Sequence, residues 1–245
     1  MYSYTDLAWT ESIIGSPEEC RDETRILCKA IIDNLKEKPE YLLHLGCGAG
    51  NYDYNFKKYF EVTGVDINDE MLRIARKLNP EVKYIRGDMR TIRLKTKFDA
   101  VAIPDSIGYM TTVKDLGKAI RTANQHLNTG GILLIITSIR DTFKENNFVY
   151  SGSKHDVKVT VFENNSITSK TGYEATIVYL VRRKKELKIF TDIHAIGLFD
   201  LSSWKKILKE NGFRIKLANA SNMYDRFMLE DGEYHQVMFI CRKIK

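Results

Sequence analysis

Tyr41–Asn51, YLLHLGCGAGN, is the stretch whose reading decides the fold of this 245-residue chain. Tyr41 to Leu45 is a short apolar run, of a length for one buried strand of a parallel sheet. It stops at Gly46-Cys47-Gly48-Ala49-Gly50, where three glycines let the backbone turn sharply and approach a ligand with no Cβ in between. The polar, aromatic segment from Tyr52 to Tyr59 reads as the start of a helix. A strand, a glycine turn and a helix N-terminus together make a seat for a polar small molecule.

Outward from this stretch, strands and helices alternate. Upstream, Tyr2, Tyr4, Trp9, Ile13 and Ile14 precede Gly15-Ser16-Pro17, and Ser16 with Glu19 predicts a capped helix running to about Leu35. Downstream, strands are predicted over 62–66, 82–85, 98–103 and 132–136. A helix striped by Met71, Leu72, Ala75 and Leu78 is stopped by Asn79-Pro80, and a second is capped by Thr112 with Asp115. From Val157 to Ala195 the period changes to two, which predicts an antiparallel meander of about three strands with turns at Asn164-Asn165 and Arg182–Lys185. Ser203 is expected to cap a short helix, and two further strands over 213–218 and 236–241 bring the main sheet to seven. The fold class is α/β: a Rossmann-like, mostly parallel sheet with helices on both faces, an inserted β meander and an N-terminal helical lid. The expected organisation is lid and first helix over 1–36, core over 37–140, β insertion on the substrate side over 141–197, and completing helix and strands over 198–245.

Composition narrows the function. The formal charge is +6, but Lys and Arg are spread along the chain, which fits a solvated surface better than a nucleic-acid interface and is compatible with an anionic small substrate. No apolar run approaches the roughly 18 residues of a membrane span, and the N-terminus lacks the pattern of a secretory signal. Cys20, Cys28, Cys47 and Cys241 stand at irregular spacings, so free thiols, no metal site and a cytoplasmic location are expected.

The glycines discriminate among nucleotides. A dinucleotide fingerprint needs glycine where Asn51 stands, and no Gly-Lys-Ser/Thr follows for a P-loop. What remains is GxGxG with Asp66 at the tip of the second strand, placed to accept both hydroxyls of a ribose.

HLGCGAG (44–50), VTGVDINDEMLRIARKL (62–78), VKYIRGDMR (82–90) and GGILLI (130–135) resemble, in order and spacing, the motifs of class I S-adenosylmethionine-dependent methyltransferases. The resemblance implies S-adenosylmethionine as cofactor and S-adenosylhomocysteine as product. It implies that Gly46, Cys47 and Gly48 pass the methionyl part, that Asp66 holds the ribose, and that Ile67 and Met71 flank the adenine. Asp88 and the Met89 amide would meet the adenine edge, and Pro104 would line the methionine end. The family usually carries an acidic residue where His44 stands. Either His44 gives a weakened or rerouted contact to the cofactor's amino group, or it is a satisfied strand-end residue.

DSIGYM (105–110), the meander and HAIGLFDLSSWKKILKENGF (194–213) resemble small-molecule N-methyltransferases, above all those acting on nucleotide-linked amino sugars. In that group a histidine stands where this chain has Tyr109, which is a poor base at neutral pH but a good hydrogen-bond partner. His194 lies two residues from Asp192 on one strand face, and the two are either a polar outer-face pair or make His194 the other candidate catalytic residue. Tyr4 and Trp9 resemble the aromatic lids of the group, which close over the sulfonium; the alternative is simple packing of a terminal segment on the sheet. Glu163, at the end of the first meander strand, reads first as a hairpin-surface charge, with contact to a cationic amine as the alternative. The expected activity is methylation of a small molecule on an amine nitrogen. The alternatives are transfer to a hydroxyl, a carboxyl or a tRNA, or a non-catalytic cofactor-binding module. An exposed meander could also serve as a homodimer surface.

Overall fold

In the computed structural model, which describes residues 2–221, 227–229 and 234–244, the opening apolar run is β1 (Tyr41–Leu45). It lies between β2 (Glu61–Asp66) and β4 (Phe98–Pro104) and is parallel to both. With β3 (Lys83–Arg86), β5 (Leu127–Thr137), β10 (Phe213–Asn219) and β11 (Val237–Lys243) they form a seven-stranded sheet in the order β10-β11-β5-β4-β1-β2-β3. Only β11 runs antiparallel to its neighbours. The order reverses between β1 and β4, and a crevice opens beyond the carboxyl ends of strands that diverge in this way.

The central strands are apolar on both faces because both are covered. Leu43, Leu45, Val101, Ile103, Leu133 and Ile135 pack with α5 (Val113–His126) and α6 (Leu201–Glu210), through Leu116, Ile120 and Trp204. Leu42, Ala100, Leu134 and Ile136 face the other way, against α2 (Arg21–Ile32), α3 (Asn51–Phe56) and α4 (Asp69–Leu78). Each fully buried Leu or Ile stabilises the fold by roughly 1.5–3 kcal/mol. Thr112 caps α5 as expected, accepting from the Asp115 N–H.

A separate sheet holds β6 (Asn146–Lys154), β7 (Val157–Ser169), β8 (Gly172–Arg183) and β9 (Glu186–Gly197), all antiparallel. It has one strand more than the meander read from the sequence. β6 was hidden because its residues, NNFVYSGSK, alternate poorly. The predicted turn at Asn164-Asn165 is also corrected: both lie inside β7, where Asn165 is buried and donates to Asn146 Oδ1 and Glu163 Oε1. Leu7, Val159, Val161 and Ile177 form the core of this sheet, with Trp9, Ile13 and Ile14 of the N-terminal segment packed against it. Contact is close enough that a Cβ on Gly152 would stand 1.9 Å from the Ile13 carbonyl oxygen.

Two helix starts differ from expectation. Ser16 and Glu19 do bond reciprocally, but they close a turn, and α2 begins only at Arg21. Asp200, rather than Ser203, caps α6, because its carboxylate reaches the Ser203 N–H.

Candidate active site

Gly46, Gly48 and Gly50 all have positive φ, +75°, +53° and +79°. These values turn the chain off β1 and into α3 at little steric cost. The turn is pinned by the N–H groups of Gly46 and Cys47, which donate to the Val65 carbonyl. The loop after β4 presses on it from the side: a Cβ on Gly46 would fall 2.2 Å from Ser106 Oγ. A Cβ on Gly48 would meet nothing within 4 Å. Backbone packed on one side and open on the other is the cradle a nucleoside-linked amino acid needs.

Asp66 ends β2 beside this turn, accepting from the Gly48 and Asn68 N–H groups at 2.8 and 2.9 Å. Each carboxylate oxygen keeps a lone pair for a hydroxyl. Ile67 is exposed, and Met71 is buried against Ala8 and Ala49 with Tyr4 alongside. Asp88 is gripped by the Arg90 guanidinium, which holds its carboxyl below the usual carboxylate range. Met89 packs on the main core, and Pro104 lines the cavity at the end of β4.

His44 is buried, with Nδ1 2.6 Å from Asp53 Oδ1 in the first turn of α3. A carboxylate only accepts, so Nδ1 carries the proton. The acidic group missing from position 44 is therefore present one step behind it. The signal available in the sequence was an aspartate in the first turn of the following helix.

On the other side, three segments meet. The Tyr4 hydroxyl bonds to that of Tyr109, Tyr109 Oη lies 2.9 Å from His194 Nδ1, and His194 Nε2 lies 3.1 Å from Asp192 Oδ2. Ser3 closes the chain, donating to Asp192 Oδ2 through both N–H and Oγ at 2.8 Å. Since Asp192 can only accept, a neutral His194 carries its proton on Nε2, and Tyr109 donates to Nδ1. Burial alone would raise the Asp192 carboxyl, but Ser3 and His194 outweigh it and hold it below the usual range. Burial pushes the Tyr109 hydroxyl up, so it keeps its proton at neutral pH. Trp9 does not line this site; it packs against the core of the second sheet.

The two halves share one cavity of about 930 Å³. Glu163, expected on the surface, lines it and accepts from the Tyr150 hydroxyl at 2.6 Å. The misplaced turn had put it at a hairpin. Asp105, at the tip of β4, also lines it, accepting from Gln236 Nε2 and standing at φ +58° and ψ −45°. Among the described residues the wall carries six carboxylates (Glu11, Glu19, Asp22, Glu23, Asp105, Glu163) and no Lys or Arg. A chain of formal charge +6 thus keeps its cations off this surface, which favours a positively charged ligand.

Residues 42–131 match the family model of a methyltransferase domain. The chain is 28% identical over 179 residues to the dTDP-3-amino-3,4,6-trideoxy-alpha-D-glucopyranose N,N-dimethyltransferase of Streptomyces venezuelae, covering 71% of this chain and 76% of that protein. It is also 28% identical to the dTDP-4-amino-2,3,4,6-tetradeoxy-D-glucose N,N-dimethyltransferase of Saccharopolyspora spinosa, over 71% of each. Among solved structures, DesVI of Streptomyces venezuelae superposes with a TM-score of 0.78 at 22% identity over 96% of both chains. CalS10, an amino pentose methyltransferase from Micromonospora echinaspora, superposes with a TM-score of 0.76 at 20% identity over 91% of both.

Proposed function

This chain belongs to the class I S-adenosylmethionine-dependent methyltransferases, and from that premise we propose that it methylates an amine nitrogen of a small, cationic acceptor. The observation that carries the reading is the continuity of one cavity from the glycine turn to a wall of tyrosines and carboxylates with no Lys or Arg among the described residues. Bound S-adenosylmethionine supplies a methyl group already activated on sulfur, so the protein has to align the acceptor and exclude water.

Gly46, Cys47 and Gly48 pass the methionyl part of the cofactor. His44, oriented by Asp53, faces its amino group, and Pro104 lines that end. Asp66 accepts from the ribose hydroxyls, Ile67 and Met71 flank the adenine, and Asp88 with the Met89 amide meets its edge. At the acceptor end the Tyr109 proton is committed to His194. The Tyr109 oxygen therefore accepts an N–H of the amine and turns the nitrogen lone pair toward the methyl group. Tyr4 and the segment behind it close the cavity from solvent, and residues 141–197 form the acceptor side.

The acceptor class named for the Streptomyces and Saccharopolyspora relatives, an amino sugar linked to a nucleotide, is the form of amine to try first. Any anionic part of such an acceptor lies beyond the described wall. The four free cysteines suit a reducing compartment, and we place the enzyme in the cytoplasm. Phe162, Leu187, Ile189 and Ile193 are exposed on the outer face of the second sheet, and we assign that face to a homodimer. Light scattering that finds a monomer at micromolar concentration overturns that assignment.

The functional reading is tested by titration calorimetry with S-adenosylhomocysteine. An assay of S-adenosylhomocysteine release follows, over a panel of alkylamines, amino sugars and nucleotide-linked amino sugars, with matched alcohols and carboxylates. Binding, and turnover confined to the amines, is expected. Failure to bind, or turnover confined to the alcohols or carboxylates, overturns the reading.

A further inference from the structure

We propose that Glu11, on the N-terminal segment, is the carboxylate that pairs with the acceptor's ammonium group and takes its proton. The inference deepens the N-methyltransferase reading above and rests on it. Five of the six wall carboxylates already have partners. The Tyr52 hydroxyl donates to Glu23, Tyr150 and Asn165 to Glu163, and Gln236 to Asp105. Glu19 accepts from the Ser16 N–H, and Asp22 pairs with Arg25. Glu11 alone has neither a hydrogen bond nor an ion pair among the described residues, and it is half-buried in the cavity wall. A desolvated carboxylate with no partner is costly, and a ligand cation removes the cost.

Its position is where the N-terminal segment meets the glycine turn, within the field of the acceptor-side tyrosines. Oε2 lies 3.7 Å from where a Cβ on Gly15 would sit, and Asn51 Nδ2, at the start of α3, lies 3.3 Å from the same point. The groups that feel its charge are Tyr4, Cys20, Tyr109, Tyr150 and Tyr179. Tyr109, Tyr150 and Tyr179 also feel Glu163, so two carboxylates bracket the same tyrosines, one from the N-terminal segment and one from β7. Burial pushes the Glu11 carboxyl up to about 7, a value suited to taking a proton at neutral pH. In that step one N–H bond of the ammonium breaks, an O–H bond forms on Glu11, and the nitrogen keeps the electron pair as the lone pair used for methylation.

The test does not require the acceptor to be known. Sinefungin carries an amine where the cofactor carries its methyl group, whereas S-adenosylhomocysteine carries nothing there. Glu11→Gln is expected to bind S-adenosylhomocysteine as the wild type does and to lose about tenfold or more in sinefungin affinity, the worth of one charge-assisted hydrogen bond. Glu11→Asp should recover part of that loss. Wild-type sinefungin affinity should weaken as pH falls below about 7, where Glu11 becomes protonated, and this dependence should flatten in Glu11→Gln. Equal losses for both ligands would place Glu11 on the cofactor's own amino group and overturn the inference, as would no loss for either. A wild type that binds neither ligand overturns the cofactor reading itself, which is a different result.

Discussion

Two histidines in this protein are buried beside a carboxylate, and they are put together in opposite ways. His44 and Asp53 lie nine positions apart, across one strand, one turn and the start of one helix, with Phe56 and Tyr52 edge-on to the imidazole. The pair closes the unit it holds in shape. His194 and Asp192 are two positions apart on β9, but their other partners are Tyr109 from the loop after β4 and Ser3 from the N-terminal segment. That second pair is complete only when three distant parts of the chain have docked. The same two side chains thus serve as scaffold in one place and as assembled chemistry in the other, and the origin of their partners decides which.

The contrast breaks most visibly at Asp53. Asp53→Ala leaves a buried imidazole N–H unpaired and is expected to cost roughly 1–3 kcal/mol, lowering the melting temperature by about 5 °C. A variant that melts like the wild type but no longer turns over would erase the distinction. Asp192→Asn keeps the shape and removes the charge that orients His194. Turnover of the first amine accepted should fall about 10- to 100-fold, while S-adenosylhomocysteine affinity and melting temperature stay near wild type. A Kd that rises as the rate falls would make the second pair scaffold as well.

The smallest effect concerns acid. Because the folded Asp192 carboxyl lies below its ordinary value of 3.8, its stabilisation is fully present above that value and is lost as pH falls through the lower, folded one. Trp9 emission should therefore be flat down to about pH 4 and change below it. Ser3→Ala, at a cost of about 1 kcal/mol, should move the change to higher pH.

The parallel core was readable because each of its strands is a short apolar run closed by a turn signal, and the glycine spacing with Asp66 singled out the seat of the nucleoside. The second sheet was read less well. β6 carries Ser151, Gly152 and Ser153, small or polar residues that break the alternation, and Gly152 is there because Ile13 leaves no room for a Cβ. Asn164-Asn165 imitates a turn because the same residue type serves turns and buried polar pairs alike. The candidate site was legible where one element supplies it, as with Asp192 and His194. It was not legible where partners come from across the chain: no spacing reveals that Ser3 meets Asp192, 189 positions away, or that Glu11 and Glu163 face the same tyrosines.

Asp105 has one more consequence. Its φ of +58° is a conformation that glycine adopts freely and an aspartate adopts with strain, on the order of 1 kcal/mol. Replacing it with glycine would relieve that strain, but it would strand the buried Gln236 amide that donates to it, at about 1–3 kcal/mol, and loosen the unfolded chain. The glycine variant should therefore be no sturdier and, with a carboxylate gone from the cavity wall, a poorer catalyst. A laboratory selection for heat resistance and one for turnover would both keep the strained aspartate.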